Sequence, residues 1–369
     1  MPSTDELIDW GLAAMTADRL VRPGPQVSRA EAEEVVADLR RYADAAVGHV
    51  YEVIGLQAST SVAPIMVVDR RGWVRANMAG LREVLIPLAE KVEERRSNSK
   101  AGDLALTVGS RVTGFEVGTV LAYLSSRVLG QYELFGESSN GSAGSLLLVA
   151  PNVVHIEREL KVTPSDFRLW VCIHEETHRV QFTAVPWLRD HLRGEIREFL
   201  SATEIDPTAM AQRLRAALEV LVDSARNQQR GESAVSLLDV VQTAQQREIL
   251  DRLSAVMSLL EGHAEYVMDA VGPQVIPSVT EIRQRFQRRR IKVGRFDQTV
   301  RRLLGIDAKL RQYRDGERFV RTVVEQVGMN GFNRVWTSPD TLPTAAEISD
   351  PDAWVRRVHG GQDTAATPE

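Results

Sequence analysis

Residues 174–178 read His174-Glu175-Glu176-Thr177-His178, inside the stretch TPSDFRLWVCIHEETHRVQFTAVP that runs from Thr163 to Pro186. Two histidines four residues apart on an α-helix lie one turn apart on the same face, so both imidazoles can reach one metal ion. Glu175 follows the first histidine and can reach a water on that ion. The spacing is that of zinc-dependent hydrolysis, with Glu175 as the general base. The flanking residues predict the helix itself. Thr163 suits the N-cap, Pro164 the first helical position and Asp166 the first turn, while Val185-Pro186 supplies a stop. Phe167, Trp170, Val171, His174 and His178 fall near one stripe, which turns the histidines toward the apolar side. The competing reading is a pair of core histidines that satisfy each other. Two neutral imidazoles and a glutamate on a largely buried face would be costly without a partner, which favours the metal. Glu176 is expected to point away from the metal and to be solvated or ion-paired, and Cys172 to be a small core residue.

Composition bounds the classes that remain. The chain has 369 residues, 43% hydrophobic and 26% charged, enough for one large or two ordinary domains. Its net charge of -5 argues against a general nucleic-acid binder. Arg285, Arg288, Arg289, Arg290 and Lys292 accordingly read as a solvated or salt-bridged helix face. A single cysteine allows no intramolecular disulfide and fits a reducing cytoplasm. The opening Met1–Glu6 has no basic or apolar signal region, and no run of eighteen apolar residues occurs. Neither a signal peptide nor a membrane span is expected, and the expected location is cytoplasmic.

Periodicity predicts a mainly α chain of the α+β class, with a small β-sheet preceding the metal-motif helix and a helical C-terminal part. Helices are expected over 3–20, 28–55 (capped by Ser28), 76–95 with a kink at Pro87, and 113–135. Further helices are expected over 187–201, 207–228, 234–270 and 279–328. Val62–Val68 reads as a strand followed by a turn at Asp69–Gly72. Leu146–Ala150 and Val153–Ile156 read as strands parted by Pro151-Asn152. Gly114 and Gly118 read as close packing of a buried helix, because Glu116 and Arg127 disfavour a membrane dimer. Exposed polar turns are expected at 97–103 and 138–144. The expected divisions are N-terminal helices over 1–60, a catalytic core over 61–270, a helical subdomain over 271–358 and a disordered tail over 359–369.

A catalytic zinc takes three protein ligands and a water. Gln181 and Ala184 exclude the extended HExxHxxGxxH pattern, which needs glycine and histidine there. On the apolar-striped helix around Leu250–Met268, Glu261 and Glu265 lie on or beside the stripe, one turn apart, and buried carboxylates need partners. Glu261 is the preferred third ligand and Glu265 the alternative, whichever does not bind serving as support. Gly262 leaves room for close approach beside Glu261.

His174-Glu175-x-x-His178 with a distant helical glutamate resembles the gluzincin pattern of thermolysin-like peptidases. The resemblance implies that Glu265, one turn after the ligand, orients a zinc histidine. Glu261-Gly262-His263-Ala264-Glu265-Tyr266 is similar to the Glu-Gly-x-Ala-x-Tyr signature of several zinc peptidase families. Asp69-Arg70-x-x-Trp73-Val74, Leu129-Gly130-Gln131-Tyr132, Pro151-Asn152, Leu304-Gly305-Ile306-Asp307-x-Lys309, Gln312-Tyr313 and Leu342-Pro343-Thr344 together resemble the zincin-like metallopeptidase type 2 family of actinobacteria and related bacteria. Some members of that family carry the label "coenzyme F420 biosynthesis-associated". The similarity spans about residues 5–358 and implies a zincin-like fold and a Zn²⁺ cofactor.

The expected function is metal-assisted hydrolysis of a peptide or small amide. His174, His178 and Glu261 would hold zinc, and Glu175 would act as base. His263, Tyr266 and Tyr313 are the candidate oxyanion donors. The alternative is a non-catalytic zincin-fold accessory protein, possible within an F420-linked family. No nucleic-acid or membrane partner is expected, and the residues specify neither the substrate nor an oligomeric state.

Overall fold

The computed structural model describes residues 4–56, 63–97, 103–135, 144–202, 243–291 and 306–360. The expected polar turns at 97–103 and 138–144 lie largely outside these residues. So do the expected helix over 207–228 and most of the tail. Helices dominate, with one small sheet. The expected fold class holds: a helical protein with a three-stranded sheet ahead of the helix that carries the metal motif.

The described chain divides into two compact units, Met1–Arg193 with His263–Arg288, and Gly194–Gly262 with Arg289–Glu369. The first unit is built on β1 (Ile65–Val68), β2 (Gly130–Glu133) and β3 (Ser145–Val149), in the order β1-β3-β2. β3 is central. It runs parallel to β1 with Ile65 opposite Leu146, and antiparallel to β2 with Gly130 opposite Leu148. A central strand is covered on both faces, so β3 reads as the unbroken apolar run Leu146–Val149. Successive side chains point to opposite faces. Leu148 enters one core with α2 (Arg29–Ile54), α6 (Ala150–Leu160) and α7 (Pro164–Ala184). Leu147 and Val149 enter another with α1 (Trp10–Leu20), α3 (Arg70–Val84) and α5 (Asp103–Ser125).

Several elements depart from the sequence reading, each for a local reason. Asp69–Gly72 is not a free turn: Asp69 caps α3, its Oδ1 accepting the Gly72 amide at 2.6 Å. Expected helix 76–95 is split at Leu85 into α3 and α4 (Ile86–Ser97). Val153–Ile156 is not a strand. Pro151 sits in the first turn of α6, where its missing amide costs nothing, and Val153, Val154, Ile156 and Leu160 are buried. The apolar run 113–135 holds the end of α5 and then β2, because Gly130–Glu133 pairs with β3. Gly114 and Gly118 admit the backbone of α1 at Asp9 and Ala13, where any Cβ would overlap. That is the expected close packing, although α5 also exposes Val112, Phe115 and Val120.

The residues singled out at 69–74, 129–132 and 151–152 make structural contacts. Arg70 donates to Asn152 Oδ1 at 2.7 Å and to the Arg22 and Pro23 carbonyls at 2.9 and 2.7 Å. Asn152 in turn donates to the Ser125 and Val128 carbonyls at 2.7 and 2.6 Å. Trp73 donates its indole N–H to Gln131 at 2.8 Å. Tyr132 stacks on Phe182 of α7, ring centroids 5.2 Å apart. These contacts fix β2 and the starts of α3 and α6 around the sheet.

The second unit includes the first part of α9 (Ala244–Val271) and α11 (Ile306–Phe332), with α12 (Ala345–Ser349) and α13 (Pro351–His359). Its core holds Phe319, Phe332, Trp336 and Trp354, with Trp354 donating to the Thr341 carbonyl. Gly262 of α9 and Gly316 of α11 meet backbone to backbone, and a Cβ on Gly262 would fall 2.5 Å from Glu317 N. Of the other helices, α8 (Pro186–Ser201) matches the expected helix 187–201 and buries Leu188 and Leu192, and α10 (Val279–Ile291) packs Ile282 into the first unit's core.

Candidate metal centre

α7 positions the motif. Thr163 occupies its N-cap without a side-chain bond, and the Asp166 carboxylate is used elsewhere. It accepts the Ser278 amide and hydroxyl at 3.0 and 2.7 Å, tying the first turn of α7 to the start of α10. Arg168, buried on α7, bonds both oxygens of Glu157 and reaches Asp38 of α2. Cys172 is fully buried with its thiol toward the Leu39 carbonyl, and burial pushes its pKa up. Glu176 is fully buried and takes the ion-paired alternative of the expectation. Arg179 forks onto both its oxygens at 2.7 and 2.6 Å. Burial pushes the Glu176 carboxyl up, and Arg179 pulls against that.

His174 and His178 face each other on the half-exposed side of α7, Nε2 to Nε2 at 3.3 Å. The other nitrogen of each ring meets an acceptor. His174 Nδ1 lies 3.1 Å from Met268 Sδ, and His178 Nδ1 lies 2.9 Å from Gln181 Oε1. A thioether sulfur and a carbonyl oxygen accept but do not donate, which favours the proton on Nδ1 in both rings. Both Nε2 atoms then present lone pairs to each other. Two donors about 2.0–2.1 Å from one ion at a tetrahedral angle stand about 3.3–3.4 Å apart, so the spacing suits a shared zinc. Among the described residues His174, His178 and Glu261 form the group able to hold a metal, their ligand atoms within 4.8 Å of one another.

Glu175, on the next position of α7, is buried against β2. A Cβ built on Gly130 would fall 2.5 Å from Glu175 Cγ and 2.7 Å from Oε1. Gly130 therefore makes the room in which the carboxylate lies. Sequence reasoning quoted Gly130 only as part of a family pattern, and its strand partner across α7 is visible only in three dimensions.

Glu261 and Glu265 are both half-buried on α9, one turn apart. His263 between them is fully buried, and its Nδ1 receives the Gln181 amide at 3.1 Å. Burial, and then the neighbouring His178, pushes its ring down to about 3. The expectation of a substrate-facing donor at His263 does not fit this geometry, because the ring has no exposed surface. Tyr266 is half-buried and packs on the first unit's core. Tyr313 lies in α11 outside the described side chains. Gln181 was read only as excluding a longer histidine motif. Its role between two histidines had one signal, its position one turn after His178.

A family model described as zincin-like metallopeptidase matches residues 8–355. The chain belongs to the zincin-like metallopeptidase family. A solved structure from Chloroflexus aurantiacus, described as a "putative hydrolase with a novel fold", is 31% identical to it. The match covers 98% of this chain and 100% of that one, with a TM-score of 0.68. Comparison with the curated proteins finds no match. Family and neighbour together support a hydrolase, and the family implies a metal, typically zinc. No helix among the described residues is long and apolar enough to cross a membrane.

Proposed function

We propose that the protein is a zinc-dependent hydrolase that cleaves a peptide or amide bond. The observation that carries this reading is the facing pair of Nε2 atoms. Their 3.3 Å separation suits two ligands of one zinc ion, which would satisfy both lone pairs at once. His174, His178 and Glu261 would hold zinc, a donor set of two imidazoles and a carboxylate that suits this ion. When bound, zinc lowers the pKa of a water and polarises a carbonyl oxygen.

The protein's own groups supply the rest. Glu175 accepts a proton at its carboxylate as water attacks, then passes it to the departing amine. Gly130 and β2 hold that carboxylate in one place, so that the proton is moved over a short, fixed path. Glu265, one turn beyond Glu261, supports the carboxylate side of the site. Tyr266 and Tyr313 remain the candidates for oxyanion stabilisation.

Metal analysis of the purified protein should give about one zinc per chain, lost in His174→Ala. Peptide and small-amide libraries should be turned over by wild type and not by Glu175→Gln, which keeps its zinc. Protein grown in zinc-replete medium that holds no metal would sink the reading. Zinc without turnover of any library member would favour a metal-binding accessory role.

A further inference from the structure

Gln181 and His263 are both fully buried, and neither is explained by the hydrolytic roles above. They form a chain with His178. His178 Nδ1–H donates to Gln181 Oε1 at 2.9 Å, and Gln181 Nε2–H donates to His263 Nδ1 at 3.1 Å. The three groups lie on α7 and on the His263–Val271 part of α9, within one compact unit.

The order of donors along this chain has one consequence for metal binding. A primary amide has a donating end and an accepting end. Were Gln181 turned over, its N–H would point at His178 Nδ1. The His178 proton would then sit on Nε2, and that nitrogen could not bind a metal. With the amide as it stands, His178 Nε2 carries a lone pair. In that orientation the amide N–H meets an acceptor on the far side, His263 Nδ1 at 3.1 Å. His263 must accordingly carry its proton on Nε2. The proton position on the metal-facing histidine is thus coupled, through the Gln181 amide, to that of a histidine that no substrate reaches.

We propose that Gln181, backed by His263, is a positioning residue that holds His178 in its Nδ1–H form, with the Nε2 lone pair presented to the metal. This rests on the zinc reading above. Hydrogen-bonded partners of metal-binding histidines are commonly worth about 10–100-fold in affinity.

The test is zinc affinity by chelator competition in wild type, Gln181→Leu, Gln181→Glu, His263→Leu and His263→Asn, with far-UV circular dichroism of each metal-free variant. Gln181→Leu is expected to bind zinc about 10–100-fold more weakly. Gln181→Glu keeps an acceptor for His178 Nδ1–H, and His263 can follow by moving its proton to Nδ1, so affinity should return to within a few-fold of wild type. His263→Asn, whose Oδ1 can replace the accepting Nδ1, should bind more tightly than His263→Leu. A packing role predicts the reverse order at 181, because leucine fills the space and glutamate buries a charge. That reversed order, or unchanged affinity in Gln181→Leu, overturns the proposal.

Should the leucine variant not fold, long-range ¹H–¹⁵N spectra of zinc-loaded wild type decide the matter. His178 must be protonated at Nδ1 and His263 at Nε2, and a His263 protonated at Nδ1 overturns the chain. If wild type binds no zinc, the hydrolase reading falls and this proposal falls with it. If wild type binds one zinc and the variants match it, only the positioning role falls.

Discussion

At the scale of single residues, Glu175 and Gly130 make the sharpest pair. The carboxylate lies where an ordinary residue on β2 would place its Cβ. Gly130→Ala should therefore displace Glu175 without touching a metal-binding atom. Misplacing a catalytic group by about 1 Å can cost on the order of a hundredfold in rate. The variant is expected to keep its full zinc content while turnover falls by that order. Metal analysis beside library assays checks this, and loss of zinc in step with activity would refute it. The motif residues His174, Glu175 and His178 were legible from spacing alone, because a helix maps sequence separation onto its face. Glu261 was legible as one of two carboxylates on a stripe. Gly130, Gln181 and Met268 were not, since each acts on a residue that is distant in the chain or turned by a side-chain torsion.

At the scale of elements, buried polar clamps join helices that the sequence leaves unrelated. Arg70 ties the first turn of α3 to Asn152 in the first turn of α6 and to the carbonyls at 22 and 23. Arg70→Met should strand Asn152 Oδ1 in the core, a loss of about 1–3 kcal/mol, read as a lower urea midpoint. Gly262→Ala should cost at least about 1–3 kcal/mol by overpacking, because the added Cβ meets backbone and α9 and α11 must move apart. Because Glu261 precedes it on the same helix, zinc affinity should fall as well; an unchanged urea midpoint in this variant would refute the close crossing.

Glu347 offers a pH test away from the metal. Burial pushes its carboxyl up, but the Arg357 hydrogen bonds and charge and the Thr344 amide outweigh that and hold it below the usual carboxylate range. A depressed folded pKa contributes stability that is present above the unfolded value and is lost as pH falls through the folded one. Glu347→Gln should therefore be less stable than wild type at neutral pH, and the difference should shrink on acidification below about pH 4. Urea midpoints at several pH values check this, and a constant gap would contradict it.

At the scale of the whole molecule, metal and folding are linked. A ligand that binds only the folded chain stabilises it by about 2.7 kcal/mol at a hundred times its Kd. Zinc should raise the thermal midpoint of wild type by calorimetry, and His178→Ala should show no such rise. The helical class, the small sheet ahead of α7 and the metal-motif helix followed from residue order, because amphipathic period, caps and the four-residue histidine spacing are local properties of a chain. Val153–Ile156 was misread as a strand because a short apolar run is locally ambiguous, and the pairing of β2 with β3 settled what each run became. Which residues stand behind the histidines, and which glycine makes room for Glu175, were decided only by tertiary packing. Those contacts join α7 to β2 and α9, segments about 45 and 85 residues away, and burial and hydrogen-bond direction exist only once such segments meet.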